Sequence, residues 1–197
     1  MMAKSLDIGA EDRQAGSILE WLRARHPEMV EAALAARAEE RLLDLTAPLP
    51  ESQSIEILTF EDEAGREVLR HTTSHVMAQA VQRLYPGTRL AIGPAIEEGF
   101  YYDFDSEVTF GPEDLERIEG AMAEIVKADL PLRRQQMSRA EAIEFFQGQG
   151  EKFKVELLEG MPDGEVSVYS QEGFADLCRG PHLPSTGRVR AFKLLNT

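Results

Sequence analysis

The sequence of 197 residues contains one cysteine, Cys178, and four histidines. A lone cysteine closes no internal disulfide, so Cys178 is left for packing or chemistry and the chain reads as one suited to a reducing, cytoplasmic setting. No apolar run approaches the roughly 20 residues a membrane span needs, and Met1-Met2-Ala3-Lys4-Ser5 lacks the hydrophobic segment of a secretory signal. These absences predict no membrane partner. Basic residues are also scarce: 21 Lys and Arg against 35 Asp and Glu give a net charge of −14, which argues against a generic nucleic-acid-binding surface. A phosphate-cradling Gly-Lys loop, a Gly-x-Ser-x-Gly elbow, internal repeats and low-complexity tracts are all missing, so nucleotide hydrolysis and the common serine esterase route have no support.

What the chain does have is concentrated. Three of the four histidines and the cysteine fall into two short stretches, Arg70-His71-Thr72-Thr73-Ser74-His75 and Asp176-Leu177-Cys178-Arg179-Gly180-Pro181-His182. Positions four apart share one face of a helix, so His71 and His75 can address a common centre. Cys178 and His182 have the same separation, but Gly180-Pro181 between them points to a tight loop. Three imidazoles and one thiol suit tetrahedral zinc, and they suit equally a metal-free pocket for proton transfer. Charge is also uneven. Residues 178 to 197 hold Arg179, Arg188, Arg190 and Lys193 and no acid, so that end carries +4 and the remainder −18. This basic edge fits the docking of one RNA end, and a solvated terminus explains it as well.

A hydrophobic content of 43% is enough for one or two domains with cores. The first sixty residues read as a small separate unit. It has a short amphipathic helix at Ile18-Leu19 and Trp21-Leu22, a helix-prone Ala32–Ala36, and strands at Leu42–Leu45 and Ile55–Leu58. After the acidic turn Glu61–Gly65, Thr72 or Thr73 is expected to cap a helix that ends at Pro86-Gly87, which puts His71 at or just before the cap. Residues 88 to 105 read as β-structure, Pro112 starts an amphipathic helix, Leu132–Met137 reads as a strand, and Ser138-Arg139-Ala140-Glu141 is a capping box. Lys154, Tyr169 and Gly173-Phe174 are expected on strands or turns leading to Cys178. Strands interleaved with helices without regular βαβ alternation predict an α+β fold.

Four segments in consistent order carry a family resemblance: Arg70–Val81, Ile92-Gly93-Pro94 with Gly99–Asp103, Phe153-Lys154-Val155-Glu156, and Asp176–His182. Together they resemble threonyl-tRNA synthetase, and in particular the second N-terminal domain of that family, which edits mischarged tRNA. The resemblance spans about residues 60 to 197. Residues 1 to 59 resemble more loosely the ubiquitin-like (β-grasp) TGS domain that precedes it, through Leu43-Asp44-Leu45 and Ile57–Asp62, although a first β-hairpin is not evident. The sequence stops at Phe192–Thr197, where the family continues into class II catalytic and anticodon-binding domains, so no aminoacylation site, and hence no ATP site, is expected in it.

The resemblance implies hydrolysis of the ester of seryl-tRNA(Thr). His71, His75, Cys178 and His182 would line the pocket, with Lys154 and Asp176 beside them. Within it, His71 is expected to orient the ribose or relay a proton, Lys154 to stabilise charge, Asp176 to recognise the substrate amine, and Cys178 with His182 to position water. Tyr102, Gly93, Pro94 and Arg179 complete the expected substrate contacts. Cys178 as a covalent nucleophile is the weaker expectation, because Asp176 disfavours a strongly electropositive setting. The implied editing needs no cofactor; zinc on His71, His75, Cys178 and His182 is the rival reading, since related alanyl-tRNA editing domains with these pairs use it. The same residues would also suit a tRNA-binding module without catalysis or a free-standing zinc-dependent aminoacyl-tRNA editing hydrolase. Expected partners are the serine-bearing acceptor end of tRNA(Thr) and the remaining synthetase domains of a homodimeric parent.

Overall fold

Helices and antiparallel strands alternate irregularly along residues 4–197, which the computed structural model describes. Of the expected absence of a leader, the part that falls on residues 1–3 lies outside the described residues. Contacts divide the chain into two compact units, one holding the chain up to Arg70 with Gly180–Pro184, the other His71–Arg179 with Ser185–Thr197. The mixed helix and sheet composition agrees with the sequence reading, and every strand pair is antiparallel.

The first unit contains β1 (Lys4–Asp7), α1 (Ile18–Arg25), β2 (Ala35–Ala38), β3 (Arg41–Leu43) and β4 (Ser54–Leu58), with sheet order β1-β4-β2-β3. Ser17 starts α1 by accepting the Glu20 N–H on its hydroxyl, and Ile18, Leu19, Trp21 and Leu22 turn inward. They join Leu6, Ala36, Leu45, Ile55 and Ile57 in one core. The helix expected from Ala32–Ala36 does not form; Ala35–Ala38 is a central strand, with Ala36 paired to Leu43 on one side and Ile57 on the other. Alanine's helix preference amounts to only tenths of a kcal/mol per residue. Two ladders of backbone hydrogen bonds and complete burial of Ala35 and Ala36 outweigh it.

The helix α2 (Glu63–Leu84) starts well before the expected cap at Thr72 or Thr73. Asp62 closes the preceding turn, its Oδ2 accepting from the Thr59 N–H at 2.8 Å and the Thr59 hydroxyl at 3.0 Å, and Glu63 adds negative charge where the helix dipole favours it. His71 therefore lies inside the helix, not at its edge.

The second unit continues with β5 (Arg89–Leu90), β6 (Ala95–Ile96), β7 (Gly99–Phe100), β8 (Phe104–Asp105) and α3 (Pro112–Ala128). β9 (Arg133–Ser138), α4 (Arg139–Gln149), α5 (Lys152–Glu159), β10 (Glu165–Gln171) and β11 (Phe174–Leu177) follow. β11-β10-β9 form one sheet, while β5 pairs with β8 and β6 with β7. The Ser138 and Glu141 capping box forms as the sequence predicts, and Gly150, at φ +75, ends α4. Lys154 departs from expectation: it sits in α5, a helix, because the chain restarts helically at Glu151 and buries Leu158 against Phe146, Ala142 and Val168.

Candidate functional site

α2 brings His71 and His75 one above the other, their rings edge to face with centroids 5.1 Å apart. Cys178 follows β11 directly and is fixed by its own backbone. Its N–H donates to the Ser167 carbonyl at 3.1 Å, and its carbonyl accepts from the Ser167 hydroxyl at 2.6 Å. This clamp on β10 holds Sγ 3.2 Å from His71 Nε2. The donor atoms of His71, His75 and Cys178 all lie within 4.8 Å of one another.

Beside this group lies a buried charged network. Asp176, on β11, places Oδ1 2.6 Å from Lys154 Nζ, accepts a hydrogen bond from the Tyr102 hydroxyl on Oδ2, and has Oδ2 3.5 Å from His75 Nε2. Lys154 also donates to the Ala91 carbonyl at 2.8 Å and to the Tyr102 oxygen at 3.3 Å. Its amine thus makes two hydrogen bonds and an ion pair; Asp176 Oδ2 accepts a hydrogen bond, while Oδ1 is balanced by the Lys154 charge without an aligned hydrogen bond. Burial of this kind is tolerable for charged groups only when they are paired and hydrogen-bonded.

The electrostatics keep the imidazoles neutral. Burial lowers the His71 pKa, with the Asp176 charge opposing it. His75 is driven down to about 3, chiefly by burial; Asp176 opposes the shift, while His71 and Lys154 reinforce it. Tyr102 is pushed up by burial and then by Asp176, so its phenol keeps its proton. At neutral pH the site offers an imidazole able to accept a proton, a thiol, and a protonated phenol tied to a carboxylate.

The remaining sequence-predicted residues distribute unevenly. Gly93 lies against Tyr102 so closely that a Cβ there would fall 2.0 Å from a ring carbon, and its carbonyl accepts from the Ser74 hydroxyl of α2 at 2.8 Å. Pro94 and Arg179 are exposed. His182 is buried in the Gly180–Pro184 segment of the first unit, where its N–H donates to Asp44 Oδ1 at 2.8 Å. Gly180, at φ +68, gives the turn before it the left-handed backbone that the Gly-Pro signal predicts. The structure brings His71, His75, Cys178, Asp176, Lys154, Tyr102 and Gly93 together in the second unit.

Sequence reasoning missed the residues that hold this set. Ser74 stands between the two histidines but carries no chemical signal of its own. Ser167 and Glu151 are remote in sequence and nothing in their surroundings marks them.

Residues 166–197 match the family described as the threonyl and alanyl tRNA synthetase second additional domain. A threonine-tRNA ligase of Carboxydothermus hydrogenoformans is 54% identical over 179 residues, 90% of this chain and 28% of the relative. That of Symbiobacterium thermophilum is 55% identical over 171 residues, 86% of this chain and 26% of the relative. That of Clostridium tetani is 52% identical over 171 residues, 86% of this chain and 27% of the relative. The chain thus spans roughly a quarter of the length of the curated relatives it matches.

Proposed function

We propose, for a chain whose sequence matches a threonyl-tRNA synthetase N-terminal region, that its second unit hydrolyses the ester of seryl-tRNA(Thr). The observation that carries the reading is the neutral His71 held 3.2 Å from Cys178 beside the buried, ion-paired Lys154, Asp176 and Tyr102 network.

Serine lacks one methyl of threonine, and a missing methyl costs a binding pocket only about 1–3 kcal/mol, too little for accurate charging. A second site that hydrolyses the wrong ester supplies the rest. In the proposed reaction a water, oriented by His71 and Cys178, adds to the ester carbonyl carbon and passes its proton to His71. The bond to the ribose oxygen then breaks, and that oxygen receives the proton. Lys154 and Tyr102 fix Asp176, whose carboxylate attracts the substrate ammonium electrostatically.

The chemistry requires no cofactor, since a neutral imidazole supplies the base. Zinc remains the rival, because His71, His75 and Cys178 offer nitrogen, nitrogen and sulfur donors that all lie within 4.8 Å of one another. If bound, zinc would polarise water. Metal analysis of protein purified without added zinc separates the two readings.

The four-stranded antiparallel sheet with α1 packed in its core supports a TGS-like β-grasp unit for residues 1–59; the editing domain over 60–197 is proposed from the resemblance, while contacts assign residues 60–70 and Gly180–Pro184 to the first unit. A single cysteine, in no disulfide, supports a cytoplasmic setting, and no helix among the described residues is long and apolar enough to cross a membrane. The parent would ligate threonine to tRNA(Thr) with ATP as a homodimer, through domains other than these. Deacylation of Ser-tRNA(Thr) by the chain and by His71→Ala and Cys178→Ala tests the reading. Loss of rate in both supports it, whereas unchanged rates refute the assignment; RNA binding with an intact ester by folded protein favours a binding module.

A further inference from the structure

Glu151 is a carboxylate with only 5% of its surface exposed, at the start of α5, and the chemistry above makes no use of it. Its Oε1 accepts from the Gln82 side-chain amide of α2 at 2.7 Å and its Oε2 accepts from the Leu90 N–H of β5 at 3.1 Å. Its carbonyl accepts from the N–H of Lys154 at 3.1 Å and of Val155 at 3.2 Å, opening the first turn of α5, and its own N–H donates to the Phe146 carbonyl of α4 at 3.0 Å. One residue therefore ties α5 to α2, α4 and β5.

The arrangement has a direction. Glu151 and Lys154 stand three residues apart, one turn of the helix, and reach consecutive residues of one strand end. The anion takes the N–H of Leu90; the cation gives a proton to the carbonyl of Ala91 at 2.8 Å. Ala91 and Ile92 are in turn bonded to Asp103, at 3.0 and 2.8 Å, next to Tyr102. Any slip of α5 along this backbone moves the Lys154 amine off Asp176 and loosens the segment that seats Tyr102 against Gly93.

We propose that Glu151 is a positioning residue: by fixing the first turn of α5 to Leu90 and Gln82, it sets the place of the Lys154 amine within the Asp176 and Tyr102 network. The inference rests on the editing reading for its kinetic consequence, but not for its structural one. Leu90 and Gln82 contribute neutral donors, so a neutral acceptor of the same shape suffices. In Glu151→Gln the amide oxygen takes the Leu90 proton, and the Gln82 amide rotates to accept from the new NH2.

The test uses the full chain and four proteins: wild type, Glu151→Ala, Glu151→Asp and Glu151→Gln. In Ser-tRNA(Thr) deacylation, Glu151→Ala is expected to lower kcat about 30-fold with KM within about threefold, because displacement of a supporting group by about 1 Å costs rate more than binding. Glu151→Gln is expected to retain kcat within about threefold, and Glu151→Asp, one methylene short, to fall between them. In parallel, trace acetylation with acetic anhydride followed by mass spectrometry reads the lysines directly. Lys154 is expected to label at least about tenfold faster in Glu151→Ala than in wild type or Glu151→Gln, with the exposed Lys127 of α3 as the internal reference. Lys154 protection unchanged in Glu151→Ala, or a Gln variant as impaired as the Ala variant, overturns the proposal. If Glu151→Ala does not fold, the same comparison is made between Asp and Gln, with Lys154 more reactive in Asp expected and equal labelling contradicting the proposal. Should wild type leave Ser-tRNA(Thr) intact, the editing reading fails while the acetylation pattern still decides on Glu151.

Discussion

Replacing Lys154 with Met removes the ammonium but keeps most of the side-chain length, and so strips Asp176 of its counter-charge. The two side chains are each 4% exposed, with Nζ and Oδ1 2.6 Å apart. At an effective dielectric constant of about 20, that separation corresponds to an attraction of about 6 kcal/mol. Taking two ions out of water costs several kcal/mol each, so the intact pair contributes little net stability. Removing one partner leaves the other's desolvation unopposed, and Lys154→Met is expected to lose about 3–5 kcal/mol. Asp176→Asn in the same background removes the stranded charge, so the double variant should be at least about 2 kcal/mol more stable than the sum of the singles predicts. Urea denaturation at pH 7 followed by circular dichroism measures this. Fluorescence is unsuitable, because the only tryptophan, Trp21, belongs to the first unit. A Lys154→Met variant within about 1 kcal/mol of wild type, or additive single variants, would refute the reasoning.

Two further outcomes follow from the same geometry. With His75 lowered from 6.5 to about 3, the unfolded chain binds a proton in that interval that the native chain does not. Its contribution is therefore complete above about pH 6.5 and is lost as the pH falls, with a slope approaching about 1.4 kcal/mol per pH unit; denaturation curves across this range should flatten in His75→Gln, and parallel profiles would contradict the assignment. Gly93→Ala drives a methyl into the Tyr102 ring and should cost about 1–3 kcal/mol and at least about tenfold in deacylation. Gly99→Ala, where a Cβ meets nothing within 4 Å, is the control that should change little in the same urea denaturation and deacylation assays.

Legibility of the sequence follows the range of the forces involved. Local signals read correctly: the Ser138 and Glu141 capping box, Pro112 at the start of α3, and the loop at Gly180-Pro181. Long-range pairing does not. Ala35 and Ala36 carry a helical preference that two neighbouring strands override, and β1 has no strong pattern before it meets β4. The start of α2 is misread because threonines inside a helix look like caps when the Asp62 turn upstream is taken as the end of a loop. The chemistry-bearing groups are evident from their clustering, whereas their supports, Ser167 clamping Cys178 and Glu151 clamping Leu90, join residues 11 and 61 positions apart.

The central claim is selective hydrolysis, and the most direct measurement compares the rates at which the full chain deacylates Ser-tRNA(Thr) and Thr-tRNA(Thr) under single-turnover conditions. The account predicts that the seryl ester is cleaved at least about 100-fold faster and that His71→Ala abolishes the difference by removing the proton acceptor. Equal cleavage of both esters, or a seryl rate indistinguishable from spontaneous hydrolysis in folded protein, would contradict it.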